Sequence, residues 1–355
     1  MKKIMIKLIF ILTILCMIPF NSIAFAKEDE IKKAVEKINE EFPLPAETPQ
    51  TFIDRTIASL ELGYFKEKNE EKFDRLKKAI QSEKETVETI NQAKGLLRNL
   101  LYLSGGKHSS FYSKNENDEF EVGSLTKEII NLQSQVSDSE GEDRLPSYSY
   151  ENQIVYLNVP GYSKFPKYSI LYNNREYSDI LLKAYDEFGP KHPKGIIIDL
   201  RENTGGQYFT MIPGLFPLLD EGEFFSVINK KGEITDRFSK IGNNFISNDL
   251  ILNIEHTPVD KVPIAVLTSR FTASAGEAIT MCFMDMPNVK IFGHPTAGYN
   301  SYLTGIPINY DCFVSLVTHM MRTKEGQVFY EEPIEPDVLT DHPMEDAVEW
   351  LESQM

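Results

Sequence analysis

Two short runs, GIIIDL at 195–200 and PIAVL at 263–267, are apolar at nearly every position. A strand with one wet face alternates apolar and polar residues, so these runs read as strands covered on both faces, the pattern of a parallel sheet between helices. Strand-like runs at 154–159, 195–200, 262–268 and 289–292 alternate with helix-like stretches at 177–188, 209–219 and 274–284. The alternation predicts an α/β core with a mostly parallel sheet and some antiparallel edge. A hairpin is expected within 306–330, turning near Lys324-Glu325-Gly326. A last helix is expected from Asp341, with Pro343 just inside, carrying the only tryptophan, Trp350.

Ahead of this core the chain changes character. Lys2, Lys3 and Lys7 precede an apolar run and then Ala24-Phe25-Ala26, a basic segment, hydrophobic segment and A-x-A site that read as a secretory signal over 1–26. If it is retained, the same run could act as a marginal membrane anchor. Leu15 is bulky where a lipid-attachment site before Cys16 needs a small residue, so lipidation is not expected. Residues 27–103 are charged and helical in period, a small N-terminal helical domain, with Pro43 and Pro45 breaking its first helix and Thr51, or Thr48 with Pro49 inside, capping the next. Residues 104–150 turn polar, with a short helix candidate at 129–132, and read as a loop-rich cap or linker. Residues 151–355 form the core, so 355 residues divide into about two domains behind the signal.

The 53 acidic and 37 basic residues leave a formal charge of −16, which argues against broad binding of nucleic acid or anionic lipid and favours neutral or cationic partners. Cys282 and Cys312, in apolar elements, read as buried small hydrophobes. No H-E-x-x-H, C-x-x-C or spaced His/carboxylate cluster occurs, so neither a metal nor a cofactor is expected.

In open α/β sheets ligands bind beyond the carboxyl ends of the strands. Two loops fall there, RENTGG at 201–206 and TASAGE at 272–277. Ser274 stands among small residues at a helix start, where free N–H groups favour negative charge; it suits a nucleophile, or a plain N-cap. The segment is not G-x-S-x-G, so a nucleophile elbow of the α/β-hydrolase kind is not expected. Gly205-Gly206 can be a structural turn, or can aim N–H groups at an oxyanion. A serine needs a base, and the six histidines offer His294 after a strand and His108 in the loop SGGKHSSF as the best placed.

Taken in order, GIIIDLRENTGG (195–206), VPIAVLTSRFTASAGEA (262–278), IFGHPTAG (291–298) and PIEPD (333–337) resemble the S41 family of serine peptidases. The resemblance spans about 153–340. It implies a ClpP/crotonase-like core, Ser274 as nucleophile, and an oxyanion hole made by the Ala275 N–H and one of Gly205 and Gly206. The processing proteases of the family carry a lysine about 25 residues after the serine; Tyr299 stands there. The tricorn and nisin-resistance branches use a histidine from a G-x-H-S loop, which Gly106-Lys107-His108-Ser109 matches, so His108 is implied as general base. Glu332, or its neighbour Glu331, is the candidate for the acid that orients it. The lack of a PDZ-sized insert resembles the nisin-resistance branch, as does Met211-Ile212-Pro213-Gly214-Leu215, implying that Met211 and Ile212 line a peptide channel.

The implied function is an exported, extracytoplasmic serine endopeptidase cutting peptides near the C-terminus by a Ser-His mechanism, with cationic peptides of the nisin type as candidate substrates. With an ordinary histidine as base, activity should fall below pH roughly 6.5. The alternative is a non-enzymatic peptide- or ligand-binding protein on the same fold.

Overall fold

The apolar runs become neighbouring parallel strands in the computed structural model, which describes residues 30–114, 120–122, 144–162, 175–248 and 250–355. The signal-like segment at 1–26 and the helix candidate at 129–132 lie outside the described residues. Among the latter, the chain begins with helices α1 (Glu30–Glu41), α2 (Pro49–Leu60), α3 (Glu70–Glu83) and α4 (Ile90–Gly105), then strands β1 (Ser110–Lys114) and β2 (Phe120–Val122). Next come β3 (Ser147–Glu151), β4 (Ile154–Asn158), α5 (Glu176–Phe188), β5 (Gly195–Asp199), α6 (Tyr208–Leu215), β6 (Gly222–Ile228), β7 (Ile234–Ile241), β8 (Asn244–Ser247) and β9 (Leu250–Asn253). The chain closes with β10 (Ile264–Thr268), α7 (Ala275–Met284), β11 (Val289–Gly293), β12 (Ser301–Asn309), β13 (Cys312–Thr323), β14 (Val338–Leu339) and α8 (Pro343–Ser353).

The residues fall into two units. The first holds the described residues of Met1–Glu128 with Ile228–Thr235 and Ser301–Met320; the second holds those of Ile129–Val227, with Asp236–Asn300 and Met321–Met355.

In the first unit, the helices start where their sequences satisfy free backbone donors. Thr48 caps α2 with Pro49 just inside, and Thr89 and Gln92 form a reciprocal capping box on α4. Apolar positions from the helices, including Phe52, Ile53, Leu60, Phe73, Leu97 and Leu100, share one core with Ile306, Val314 and Leu316. The last three come from β12 and β13, an antiparallel pair; β1 runs antiparallel to β13 in the register Ser110↔Ser315. Arg55 of α2 has no exposed surface. Its guanidinium donates to the carbonyl of Pro307 (2.8 Å), to Asn39 Oδ1 (2.6 Å) and to the carbonyl of Phe42. Burial lowers its pKa to about 10.

In the second unit the sheet order is β14-β11-β10-β5-β4-β3, parallel from β14 to β4, with β3 antiparallel at the edge. The register sets Ile264 opposite Ile196 and Leu267 opposite Asp199, so β5 and β10 end side by side. Ala347 and Leu351 of α8 cover Ile154, Ile197, Ala265, Leu267 and Phe292 on one face. Every residue of α7 from Ala275 to Phe283 is buried. Strands β7, β8 and β9 form an antiparallel meander.

Two boundaries depart from expectation. The hairpin is β12 with β13 and turns at Tyr310-Asp311, because the apolar β13 runs on to Thr323; the Lys324-Gly326 turn closes only the single bridge Arg322↔Val328. The last helix has His342 rather than Asp341 as its N-cap, with Pro343 as its first residue. Cys282 and Cys312 are both buried free thiols, as expected.

Replacing Arg55 by Met should deprive the carbonyls of the half-buried Pro307 and Phe42 of this donor, at a cost of up to about 1–3 kcal/mol each. Denaturant unfolding should report a stability loss of that order, and an unchanged midpoint would mean that these bonds contribute nothing.

Candidate active site

Because β5 and β10 end together, the loops after them meet, and side chains stitch them. Asp199 closes β5: it is buried and accepts the Arg201 N–H (3.0 Å), two guanidinium bonds from Arg201 (2.9 and 2.6 Å) and the Tyr156 hydroxyl (2.8 Å). Thr272 Oγ1 donates to the Leu200 carbonyl (2.8 Å), Ser269 Oγ to the Arg201 carbonyl (2.5 Å), and the Ala273 N–H to the Asn203 carbonyl (2.9 Å).

Ser274 follows as the N-cap of α7, half-buried, with φ 52° and ψ −114°. A serine in that region is strained and persists only where its surroundings impose it. Gly205 imposes part of it. Its own φ is 106°, and a Cβ there would sit 2.7 Å from Ser274 Cβ and 3.3 Å from Ser274 Oγ, so only glycine allows the two loops to approach this closely. Gly276 is equally constrained, since a Cβ would meet the Asn203 carbonyl oxygen at 2.6 Å.

The amide donors around Ser274 divide cleanly. The Gly205 N–H is taken by Asn203 Oδ1 (3.0 Å), and the Gly205 carbonyl accepts the Tyr162 N–H (3.0 Å). Gly206 is exposed, and no bond within the described residues engages its N–H. Ala275 is the first residue of α7, where an N–H has no intrahelical acceptor. Of the two glycines, Gly206 is therefore the one whose N–H has no acceptor among the described residues.

Glu277 was not singled out by sequence reasoning, although S-x-x-E is a capping-box spacing that could have revealed it. Its carboxylate is fully buried and accepts the N–H groups of Ser274 (3.1 Å), Gly298 (2.9 Å) and Tyr299, the Thr296 hydroxyl and Asn300 Nδ2 (3.3 Å). Burial pushes its pKa up to about 7, against the pull of these donors. Asn300 continues the chain of bonds, donating to the Glu332 carbonyl (2.7 Å) and accepting the Glu331 N–H (3.2 Å). Glu332 thus joins the group through its backbone, with its side chain exposed.

Met211 and Ile212, expected along a channel, are buried; Met211 Sδ lies 3.4 Å from Asn203 Nδ2. Tyr208, Phe209 and Thr210 are the half-buried residues of the same helix.

His108 belongs to the first unit. It is buried, and its Nδ1 lies 2.9 Å from Ser301 Oγ. Burial first, then the neighbouring Lys107 charge, push its pKa down to about 3, so the imidazole is neutral at ordinary pH. His294 is exposed, with Nε2 3.0 Å from Asp341 Oδ1. Among the described residues no cluster of three or more His, Cys, Asp or Glu side chains could hold a metal.

Residues 153–340 match the sequence model of peptidase family S41. The chain belongs to this serine peptidase family. It is 26% identical over 315 residues to the nisin-resistance protein of Lactococcus lactis subsp. lactis, covering 87% of this chain and 88% of the relative. A carboxy-terminal-processing protease of Bartonella bacilliformis is 28% identical over 202 residues, 56% of this chain and 41% of that protein. Among solved structures, a lipoprotein from Streptococcus agalactiae superposes with a TM-score of 0.67 at 26% identity, covering 88% of this chain and 99% of that one. The mixed α/β fold with a helical N-terminal region is thus that of an S41 peptidase, whose substrates are peptides or proteins.

The crowding at Gly205 has a controlled test. Gly205→Ala should destabilise the chain by about 1–3 kcal/mol more than Gly222→Ala, since Gly222 shares a positive φ of 97° but has open space around it. Equal losses by chemical denaturation would mean that contact with Ser274 imposes nothing.

The two shifted groups have opposite linkage. His108 titrates lower when folded than its unfolded 6.5, so it contributes stability above pH 6.5 that is lost as pH falls toward 3; Glu277, raised from 4.5, contributes stability below 4.5 that is lost as pH rises through about 7. His108→Phe should therefore reduce the loss of stability between about pH 3.5 and 3, where Glu277 is mostly protonated in both states. Unfolding midpoints across that range would expose a different origin if the slope survived.

Proposed function

We propose that the chain is an exported serine endopeptidase that cuts peptides near the C-terminus, with Ser274 as nucleophile, His108 as general base, and Glu332, or Glu331 beside it, as the acid that orients the base. The observation that carries this reading is the strained Ser274 at the start of a buried helix, with the Gly206 and Ala275 N–H groups left to serve as oxyanion donors. Only neutral imidazole can accept a proton, and burial keeps His108 neutral. Met211 and Ile212 contribute by supporting the channel wall from behind.

In the acylation step His108 takes the Ser274 Oγ proton as Oγ bonds to the scissile carbonyl carbon. The carbonyl π pair moves onto oxygen, which the two amides stabilise. Collapse expels the amine with the proton from His108, and water then releases the acyl group by the same route.

Export is supported by the basic, apolar and A-x-A succession over 1–26, and the lipoprotein among the structural relatives fits the same side of the membrane. The formal charge of −16 favours cationic peptides, and the nisin-resistance protein among the relatives suggests antimicrobial peptides of that type. Such attraction acts over a screening length of about 8 Å at physiological salt.

Reaction with a fluorophosphonate should label Ser274 in folded wild-type chain, and Ser274→Ala and His108→Ala should lower peptide turnover by about a thousandfold or more. Folded chain that stays unlabelled would instead be a peptide-binding protein on this fold. For the buried base, kcat/KM should hold well below pH 6.5; an acid limb at 6.5 that disappears in His108→Ala labelling rates would contradict the depressed pKa. Turnover of a cationic peptide should fall as salt rises, and salt-independent turnover would remove the electrostatic part of the proposal.

A further inference from the structure

Two adjacent glycines are a poor place to hold a hydrogen-bond donor in a fixed direction. Gly205 and Gly206 adopt φ values of 106° and 116°, and glycine crosses readily between backbone states, so the peptide between them can turn over unless something grips it. That peptide carries the Gly205 carbonyl and the Gly206 N–H, which point in opposite directions because a trans peptide is planar. Fixing the carbonyl aims the amide.

The grip comes from Asn203 and the segment Val159–Tyr162. The Gly205 carbonyl accepts the Tyr162 N–H (3.0 Å), and the Gln207 N–H bonds back to the Tyr162 carbonyl (2.7 Å). Asn203 holds the other side of Gly205: its Oδ1 accepts the Gly205 N–H (3.0 Å), while its Nδ2 donates to the Val159 carbonyl (2.9 Å). The segment is itself anchored, by the Val159 N–H on the Asp199 carbonyl (3.0 Å) and the Tyr177 hydroxyl on the Pro160 carbonyl (2.6 Å). Asn203 also reaches the serine loop, since its own carbonyl accepts the N–H of Ala273, the residue before Ser274 (2.9 Å). It has no exposed surface, so water does not stand in for a lost bond. An amide offers an acceptor for the Gly205 N–H and a donor for the Val159 carbonyl on one rigid plane; an ionised carboxylate lacks the donor, and an aliphatic side chain lacks both.

We infer that Asn203 is the positioning residue of the oxyanion hole: it braces Gly205 so that the Gly206 N–H stays turned toward the charge that develops beside Ser274. The inference rests on the reading of Ser274 as nucleophile and of the Gly206 N–H as an oxyanion donor. Asn203 touches no reacting atom and acts only through the glycine pair.

Phosphonylation of Ser274 reads the hole directly. Oγ bonds to phosphorus as its proton passes to the base, the P–F bond breaks, fluoride leaves, and the phosphoryl oxygen takes up the negative charge that the amides stabilise. Sulfur in place of that oxygen is a weak hydrogen-bond acceptor and forgoes most of this stabilisation. In the full chain, Asn203→Ala should lower the maximal rate of labelling by a fluorophosphonate about 10- to 100-fold. The rate with the matching fluorophosphonothioate should fall far less, so that the ratio of the two rates shrinks about tenfold or more. Rates that fall equally with both probes, or that do not fall, would overturn the inference. A second measurement needs no variant: in wild-type protein the Gly205 amide should exchange its hydrogen slowly and the Gly206 amide quickly, and phosphonylation should slow Gly206. A fast Gly205 amide, or a Gly206 amide indifferent to phosphonylation, would overturn the inference even if Asn203→Ala failed to fold. Wild-type chain in which Ser274 does not react at all would instead remove the nucleophile reading, and with it the need for a positioned oxyanion donor.

Discussion

A single buried carboxylate holds the nucleophile turn in shape. Glu277 accepts the Ser274 N–H and also bonds the segment Thr296–Asn300, so the backbone twist at Ser274 and the path of that segment are settled by the same two oxygens. Burying a charge alone would be costly, and here five donors offset part of that cost, burial still raising the carboxyl's pKa to about 7. The strained serine, the close approach of Gly205 and the open amides of Gly206 and Ala275 all depend on that anchor.

The sheet explains why such an anchor suffices. β5 and β10 are buried along their whole lengths and end in register, so the loops they launch have little freedom before Thr272, Ser269 and the Asn203 carbonyl tie them together. Rigidity arises in the strands and is passed to the loops by side chains bonding to carbonyls. Met211 belongs to this support, with its Sδ 3.4 Å from Asn203 Nδ2, and Ile212 beside it is buried.

Much of this architecture was legible in the sequence for plain physical reasons. Strands apolar on both faces leave an unmistakable run, and Ile196–Ile198 and Ile264–Leu267 lie where the runs place them. The hairpin turn was misread because Gly326 is a strong turn signal, whereas Tyr310-Asp311 contains no glycine. Helix α6, YFTMIPGL, is apolar almost all round, so its period could not tell which side chains face inward and which remain half-exposed. Ser274 and the glycine pair announced themselves by small neighbours. Glu277 stands at capping-box spacing from Ser274 and was overlooked, and its bonds to the segment Thr296–Asn300 form only in the fold, as does the bond from the Ala273 N–H to the Asn203 carbonyl.

Arg55 has a consequence for the unit that carries His108. Its guanidinium grips two carbonyls and an amide oxygen, none of which gains a proton as the surroundings acidify. A carboxylate clasp would loosen in acid; this one is indifferent to it, and only strong alkali would discharge the cation. The joint between the second helix and the strand that begins at Ser301 is therefore acid-proof by construction, whatever happens to the titrating groups elsewhere.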